Sequence, residues 1–274
     1  MRKRILRGTA YVLLALSIPA LNWSLKDDSS AVVAKTIRDT SLISDSAITV
    51  KEVSAAEAYV DYVKNIYSSA ALASSGLDFD VFRKAVTGYL NFRTTGLVST
   101  DKQVISIVDF NQPSTKKRLW IVDLLNKKLL FNTLVAHGQG SGDNYATSFS
   151  NTSESHQSSL GFYITSNTYQ GKHGLSLKLN GMDKGYNTNA LSRAVVVHGA
   201  EYVSQDFVNQ HGRLGRSYGC PAVPVELTPA IINTIKGRTA LFINGPSATK
   251  YASSYLNEES AASQFGSRQL LAGS

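Results

Sequence analysis

The chain has 274 residues, 43% of them hydrophobic, enough to bury one good core and a small second module. The formal net charge is +8, but Arg2, Lys3, Arg4 and Arg7 supply four of those charges and no acid precedes Asp27, so loss of that segment leaves an ordinary +4. A basic face for nucleic acid is therefore not needed, and a nuclease or DNA-binding function is disfavoured. The one cysteine, Cys220, cannot close an intrachain disulfide.

Residues 1–25 read as a signal peptide or N-terminal anchor, with a basic start followed by the apolar run Ala10–Ala20. That run is short for a bilayer span and suits a signal core. The cleavage site is poorly marked because Ile18 stands where a small residue is usual, which leaves cleavage and retention both open. Either way the chain is exported, and any membrane attachment is through this segment alone. Residues 26–53 are polar, rich in Ser and Thr and without sustained periodicity, a flexible tether.

Residues 54–96 form a helical prelude. Ser54 with Glu57 is a capping-box signature, and Tyr59, Val63, Ile66 and Tyr67 recur at helical spacing. After Gly76, a second amphipathic stretch over 78–92 sets Phe79, Phe82, Val86, Tyr89 and Leu90 on one side. From 97 to 245 the chain turns to β-rich runs at 104–110, 119–125, 129–135, 160–166, 175–179 and 194–198. Thr228 is the expected N-cap of a helix with Pro229 at its first position, and 238–244 is a last strand. The tail 246–274 reads as disordered. The fold class is mainly β, preceded by a short two-helix module.

Residues 137–159 make a long polar loop between core strands. Such loops are usually functional. This one is expected to lie beside the Cys220 turn as one wall of a peptide-binding cleft.

Cys220 lies in Gly215-Arg-Ser-Tyr-Gly-Cys-Pro221. Glycines at 215 and 219 permit a sharp turn, and Pro221 carries no N–H, so donors near the sulfur must come from Tyr218, Gly219 and Cys220. Successive amides leading into a nucleophile are material for an oxyanion hole. A thiol needs a base, and an imidazole supplies one. Of the five histidines, His198 closes the apolar run Ala194–Val197, where a sheet would hold its ring rigidly. His211 reads as a loop residue, His173 as a residue that lines the pocket, and His156 as solvent-exposed. No histidine pair has the spacing of a metal site, and no cofactor is implied.

The runs Ala194–Ala200 (AVVVHGA) and Gly215–Pro224 (GRSYGCPAVP) strongly resemble the murein L,D-transpeptidase catalytic-domain family. Segments around Val108–Phe110, Pro113–Thr115, Ala136–Gly138 and Tyr145–Ser150 extend the likeness over about 54–245. The resemblance implies a β-sandwich-type catalytic domain with Cys220 as nucleophile and His198 as base. Ser217, Tyr218, Gly219, Gly199, Arg216 and His173 would serve the oxyanion and the substrate. Two departures stand out: Tyr218 replaces the usual His before Gly-Cys, and Pro221–Ala222 replaces an apolar–Arg/Asn pair. The implied reaction cross-links peptidoglycan stem tetrapeptides through a thioester in the periplasm or cell envelope. Two alternatives stay open. One is an L,D-carboxypeptidase using the same site with water, the other a non-catalytic wall-binding protein.

Overall fold

The computed structural model describes residues 50–266 and 268–271. The signal or anchor segment and nearly all of the tether lie outside the described residues.

In chain order the elements are β1 (Val50–Val53), α1 (Ala55–Ser69), α2 (Phe79–Thr94), β2 (Val104–Asp109), β3 (Leu119–Asp123), β4 (Lys128–Thr133), β5 (Gly161–Gly171), β6 (Gly174–Gly181) and β7 (Val196–Gly199). There follow α3 (Gln205–His211), β8 (Ala222–Val223), α4 (Thr228–Ile235), β9 (Ala240–Asn244), α5 (Glu258–Ala262) and β10 (Arg268–Leu271). Eight strands form one sheet in the order β4-β3-β2-β9-β5-β6-β7-β8, parallel at β2–β9 and β7–β8 and antiparallel elsewhere. A bridge between Ala136, just past β4, and Ala222 in β8 joins the two edges, so the sheet curls back on itself.

The central strands are near-continuous apolar runs because both faces are covered. In β2, β3 and β9 the pleat sends Ile105, Ile107, Trp120, Val122, Ala240 and Phe242 to one core. It sends Val104, Val108, Leu119, Ile121, Leu241 and Ile243 to the other. The first core is roofed by α1, α2 and α5, and the second holds Ile231, Ile232 and Ile235 of α4. Gly88 of α2 makes the close packing feasible, since a Cβ there would come within 2.2 Å of the Phe162 ring.

The capping box at α1 forms as its sequence predicts, with Ser54 accepting from the Glu57 amide and Glu57 from the Ser54 amide. Thr228 differs. It is the first residue of α4, with Leu227 as the cap, and its hydroxyl donates 2.8 Å to the Pro224 carbonyl. The tail also differs. Residues 254–265 are helical turns packed on α1 and α2, and β10 pairs antiparallel with β1. Asn91 donates to the Tyr255 and Asn257 carbonyls at 2.8 and 2.9 Å, and Ala261 and Ala262 are buried. Asp183 accepts from Tyr251 and Ser253 hydroxyls. A polar, Ser-rich segment orders here because its few apolar side chains cover an apolar helix face and its polar groups find fixed partners. No described helix is long and apolar enough to cross a membrane.

Candidate active site

β7 and β8 run parallel with His198 opposite Ala222, which sets Cys220 level with Val196. The Val196 amide donates to the Cys220 sulfur at 3.5 Å, and the sulfur faces the Ala194 carbonyl at 3.7 Å. His198 is buried at the end of β7, and Nδ1 lies 2.9 Å from the Gly199 carbonyl. A carbonyl can only accept, so Nδ1 carries the proton and Nε2 is left as the basic nitrogen. The His173 ring stacks on His198 with centroids 4.4 Å apart. His173, His198, Ser217, Tyr218, Arg216 and Cys220 line one cavity of about 740 Å³.

Burial pushes the Cys220 thiol above its ordinary value, against the Val196 amide, Arg193 and Lys172, which lower it. Burial lowers His198, with the Gly199 carbonyl opposing and His173 and Lys172 adding to the fall. Both shifts favour the neutral forms.

Ser217 closes the turn that presents the sulfur. Its hydroxyl donates to the Cys220 carbonyl at 2.6 Å and accepts the Gly219 amide at 3.1 Å. The expected cluster of three free amides is thereby reduced, since Gly219 is engaged. Among the described residues the Tyr218 and Cys220 amides have no acceptor. Gly199 does not line the cavity. A Cβ there would stand 2.5 Å from Thr228 Oγ1, and the residue acts through its carbonyl on His198. Arg216 pairs with Asp143 at 2.7 Å and the Gly142 carbonyl at 2.9 Å, tying the turn to the polar loop.

That loop does lie beside the Cys220 turn. The Gln139 amide donates to the Ser217 carbonyl at 2.8 Å, Ser158 donates to the Gly219 carbonyl at 3.3 Å, and Gln139 lines the cavity. His156, expected in solvent, instead stacks on Tyr218 at 4.3 Å. Exposed Tyr218 gains apolar cover this way, a contact that local sequence could not reveal. His211 sits on α3 rather than in a loop, stacked on Phe207 outside the cavity. Its helix carries the Ser204 cap and left-handed Gly212 that could have marked it.

His137 is fully buried and fastens the loop to the sheet. The buried Arg118 donates from Nη2 to His137 Nδ1 at 2.7 Å and from Nε and Nη2 to the Val135 carbonyl, with Phe110 under its guanidinium. Burial first, then the Arg118 charge, lower His137 from 6.5 to about 4. Protonation would set an N–H against the guanidinium donor. The unfolded chain binds that proton below 6.5 and the folded chain only near 4, so stability falls as pH drops through this window. At about 1.4 kcal/mol per pH unit the loss approaches roughly 3 kcal/mol. His137→Asn retains an acceptor and no titration. Chemical denaturation at pH 7 and pH 4 should show a gap smaller by about that amount in this variant; an unchanged gap would exclude His137 as the source.

Residues 73–244 match the L,D-transpeptidase catalytic domain. The chain belongs to that family. Among solved structures it is similar to an L,D-transpeptidase from Mycobacterium smegmatis at 10% identity, covering 53% of this chain and 59% of that one with a TM-score of 0.34. It is also similar to the helical cell shape determining protein Pgp2 of Campylobacter jejuni, at 12% identity over 66% of this chain and 63% of that one, with a TM-score of 0.38. An L,D-transpeptidase from Stackebrandtia nassauensis matches at 14% identity over 73% of this chain and 97% of that one, with a TM-score of 0.33. The chain thus spans less than two thirds of the length of the first two. No curated protein matches it.

Several residues lining this candidate site of the L,D-transpeptidase domain gave no signal in the sequence. Lys172 is at the tip of the β5–β6 hairpin, Ser176 pairs with His198 across β6–β7, and Arg193 and Tyr202 come from flanking loops. The tight Gly171–Gly174 pairing was the available clue to the hairpin, since it leaves only Lys172 and His173 to make the turn.

Proposed function

We propose that the protein is an exported L,D-transpeptidase that cross-links peptidoglycan stem peptides through a thioester on Cys220. The observation that carries this reading is the shared cavity of Cys220 and His198, with the His198 tautomer fixed by the Gly199 carbonyl. The sulfur attacks the carbonyl of the L-centre preceding the terminal D-residue of a tetrapeptide, and its proton passes to His198 Nε2. The Tyr218 and Cys220 amides receive the developing oxyanion. As the C–N bond breaks, His198 returns the proton to the departing amine and a thioester remains. An amine from a neighbouring stem then attacks, gives a proton to Nε2 and expels the sulfur, which recovers that proton. The loop over 137–159 walls the donor site, and its serines, asparagines and backbone amides suit a peptide with few apolar side chains.

In this scheme no metal or cofactor takes part, nucleic acid is not a partner, and any membrane attachment is through the N-terminal segment if it stays uncleaved. Purified protein incubated with disaccharide tetrapeptides and analysed by mass spectrometry should give dimers together with loss of the terminal D-residue. Tripeptide without dimers would assign hydrolysis instead, and no change in either would reject the reading. The acid limb of the rate should lie below the ordinary imidazole value of 6.5, because burial holds His198 neutral to lower pH.

A further inference from the structure

Arg193 stands three positions before the first residue of β7 and lines the same cavity as Cys220. Its guanidinium is fully fixed. Nη1 donates to the Ser150 carbonyl at 2.7 Å and to Ser159 Oγ at 2.6 Å. Nη2 donates to Ser155 Oγ at 3.2 Å and to the Gln157 carbonyl at 2.7 Å. All four acceptors are neutral, and no carboxylate lies within ion-pairing distance of Arg193 among the described residues. The exposed Glu154 carboxylate acts on it from beyond that distance, so its charge is solvated mainly by dipoles and stays available to a nearby negative group.

The Cys220 turn lies directly against it. A Cβ on Gly219 would be 3.3 Å from Arg193 Nη2 and 2.7 Å from the Gln157 carbonyl that Arg193 holds. The next residue, Ala194, has φ of +53°, a left-handed conformation that costs a non-glycine residue energy and persists only where its surroundings enforce it. That conformation aims the Ala194 carbonyl at the sulfur while Val196 presents its amide. Three consecutive features of one segment therefore converge on Cys220: a fixed cation, an acceptor for the thiol proton and a donor for the sulfur.

We propose that Arg193 is a positioning residue for this site, fastening the 150–159 segment to the Cys220 turn and supplying the standing positive charge that stabilises the thiolate as His198 takes its proton. The inference rests on Cys220 being the nucleophile. The other groups around the sulfur are less suited. Burial lowers His198 and His173, which disfavours their charged forms, and Tyr202 is pushed up to about 12. Arg216 is paired with Asp143. Lys172 is the remaining cation, exposed on the hairpin tip where solvent screens it. The order of influences on Cys220 agrees, with Arg193 ahead of Lys172.

The test is the pH dependence of Cys220 alkylation by iodoacetamide, measured on the full chain without any peptide. Its result therefore stands whether or not stem peptides are turned over. Arg193→Gln should raise the midpoint by about one pH unit and slow alkylation at pH 7.5 about tenfold. Arg193→Lys keeps the charge and should leave the midpoint near that of the parent protein, while loss of the fork makes residues 150–157 easier to cleave with protease. An unchanged midpoint in Arg193→Gln overturns the proposal. So does a rise in midpoint in Lys172→Ala as large as that in Arg193→Gln, which would give the charge role to Lys172. If Arg193→Gln does not melt cooperatively, Arg193→Lys decides: a retained midpoint with a more cleavable loop supports the proposal, and a raised midpoint overturns it.

Discussion

Cys220→Ala is expected to lower transpeptidation of tetrapeptide donors by at least about 10⁴-fold while the protein melts within a few degrees of the parent. The sulfur is the only thiol lining the cavity and, once deprotonated, the strongest nucleophile among its lining groups. Its removal leaves the oxyanion donors and His198 in place but no bond to make. The fold should tolerate the change because the Cys220 side chain is held only by two weak contacts, the Val196 amide and the Ala194 carbonyl. The turn itself is closed by the Cys220 carbonyl and Ser217, which alanine retains. Mass spectrometry of intact protein after incubation with donor should show an acyl adduct on the parent and none on the variant. An adduct of equal yield on Cys220→Ala would place the nucleophile elsewhere.

Gly219→Ala should act almost as strongly through geometry alone. Gly219 has φ of +121°, a region that L side chains rarely adopt. The strain is of order 1–3 kcal/mol before any contact is considered. The added methyl would also stand 2.7 Å from the Gln157 carbonyl, a backbone atom held by Arg193 and unable to yield cheaply. Relief requires the turn to move off the loop wall, carrying the sulfur with it. Displacement of a reacting group by about 1 Å costs on the order of 10²-fold. The expected result is a fall in kcat of that size or more, a lower melting temperature and slower alkylation of Cys220. Wild-type kcat in Gly219→Ala would show that the turn has room the geometry denies it.

Much of the scaffold was written locally. The capping box at Ser54, the helical spacing of Tyr59, Val63 and Ile66, and the unbroken apolar strands are short-range patterns, and each produced the element it indicates. Cys220 and His198 were legible for a similar reason. A lone cysteine between a glycine and a proline, in a chain whose start reads as an export signal, and a histidine closing a run of valines, are unusual in themselves. Local pattern failed wherever a segment depends on a distant surface. The tail past residue 246 is polar and reads as disordered, yet it orders against α1, α2 and the Asp183 carboxylate, 68 or more residues away in sequence. His156 reads as solvent-exposed until Tyr218, 62 positions on, is brought beneath its ring.

The sequence by itself marked Cys220 and His198 as the candidate reactive pair and determined which faces must be buried, because residue type and periodicity are local properties. Only the tertiary structure decided how the chemistry is poised. The parallel register of β7 and β8 sets Cys220 against Val196, the Gly199 carbonyl fixes the His198 tautomer, and Ser217 takes the Gly219 amide out of the expected oxyanion set. Arg193, one cation in a polar turn, becomes a bracket for the site through acceptors 34 to 43 residues earlier in the chain. Hydrogen-bond partners and local charge balance depend on which backbone groups meet across strands and loops, and that is set by long-range packing rather than by neighbours in sequence.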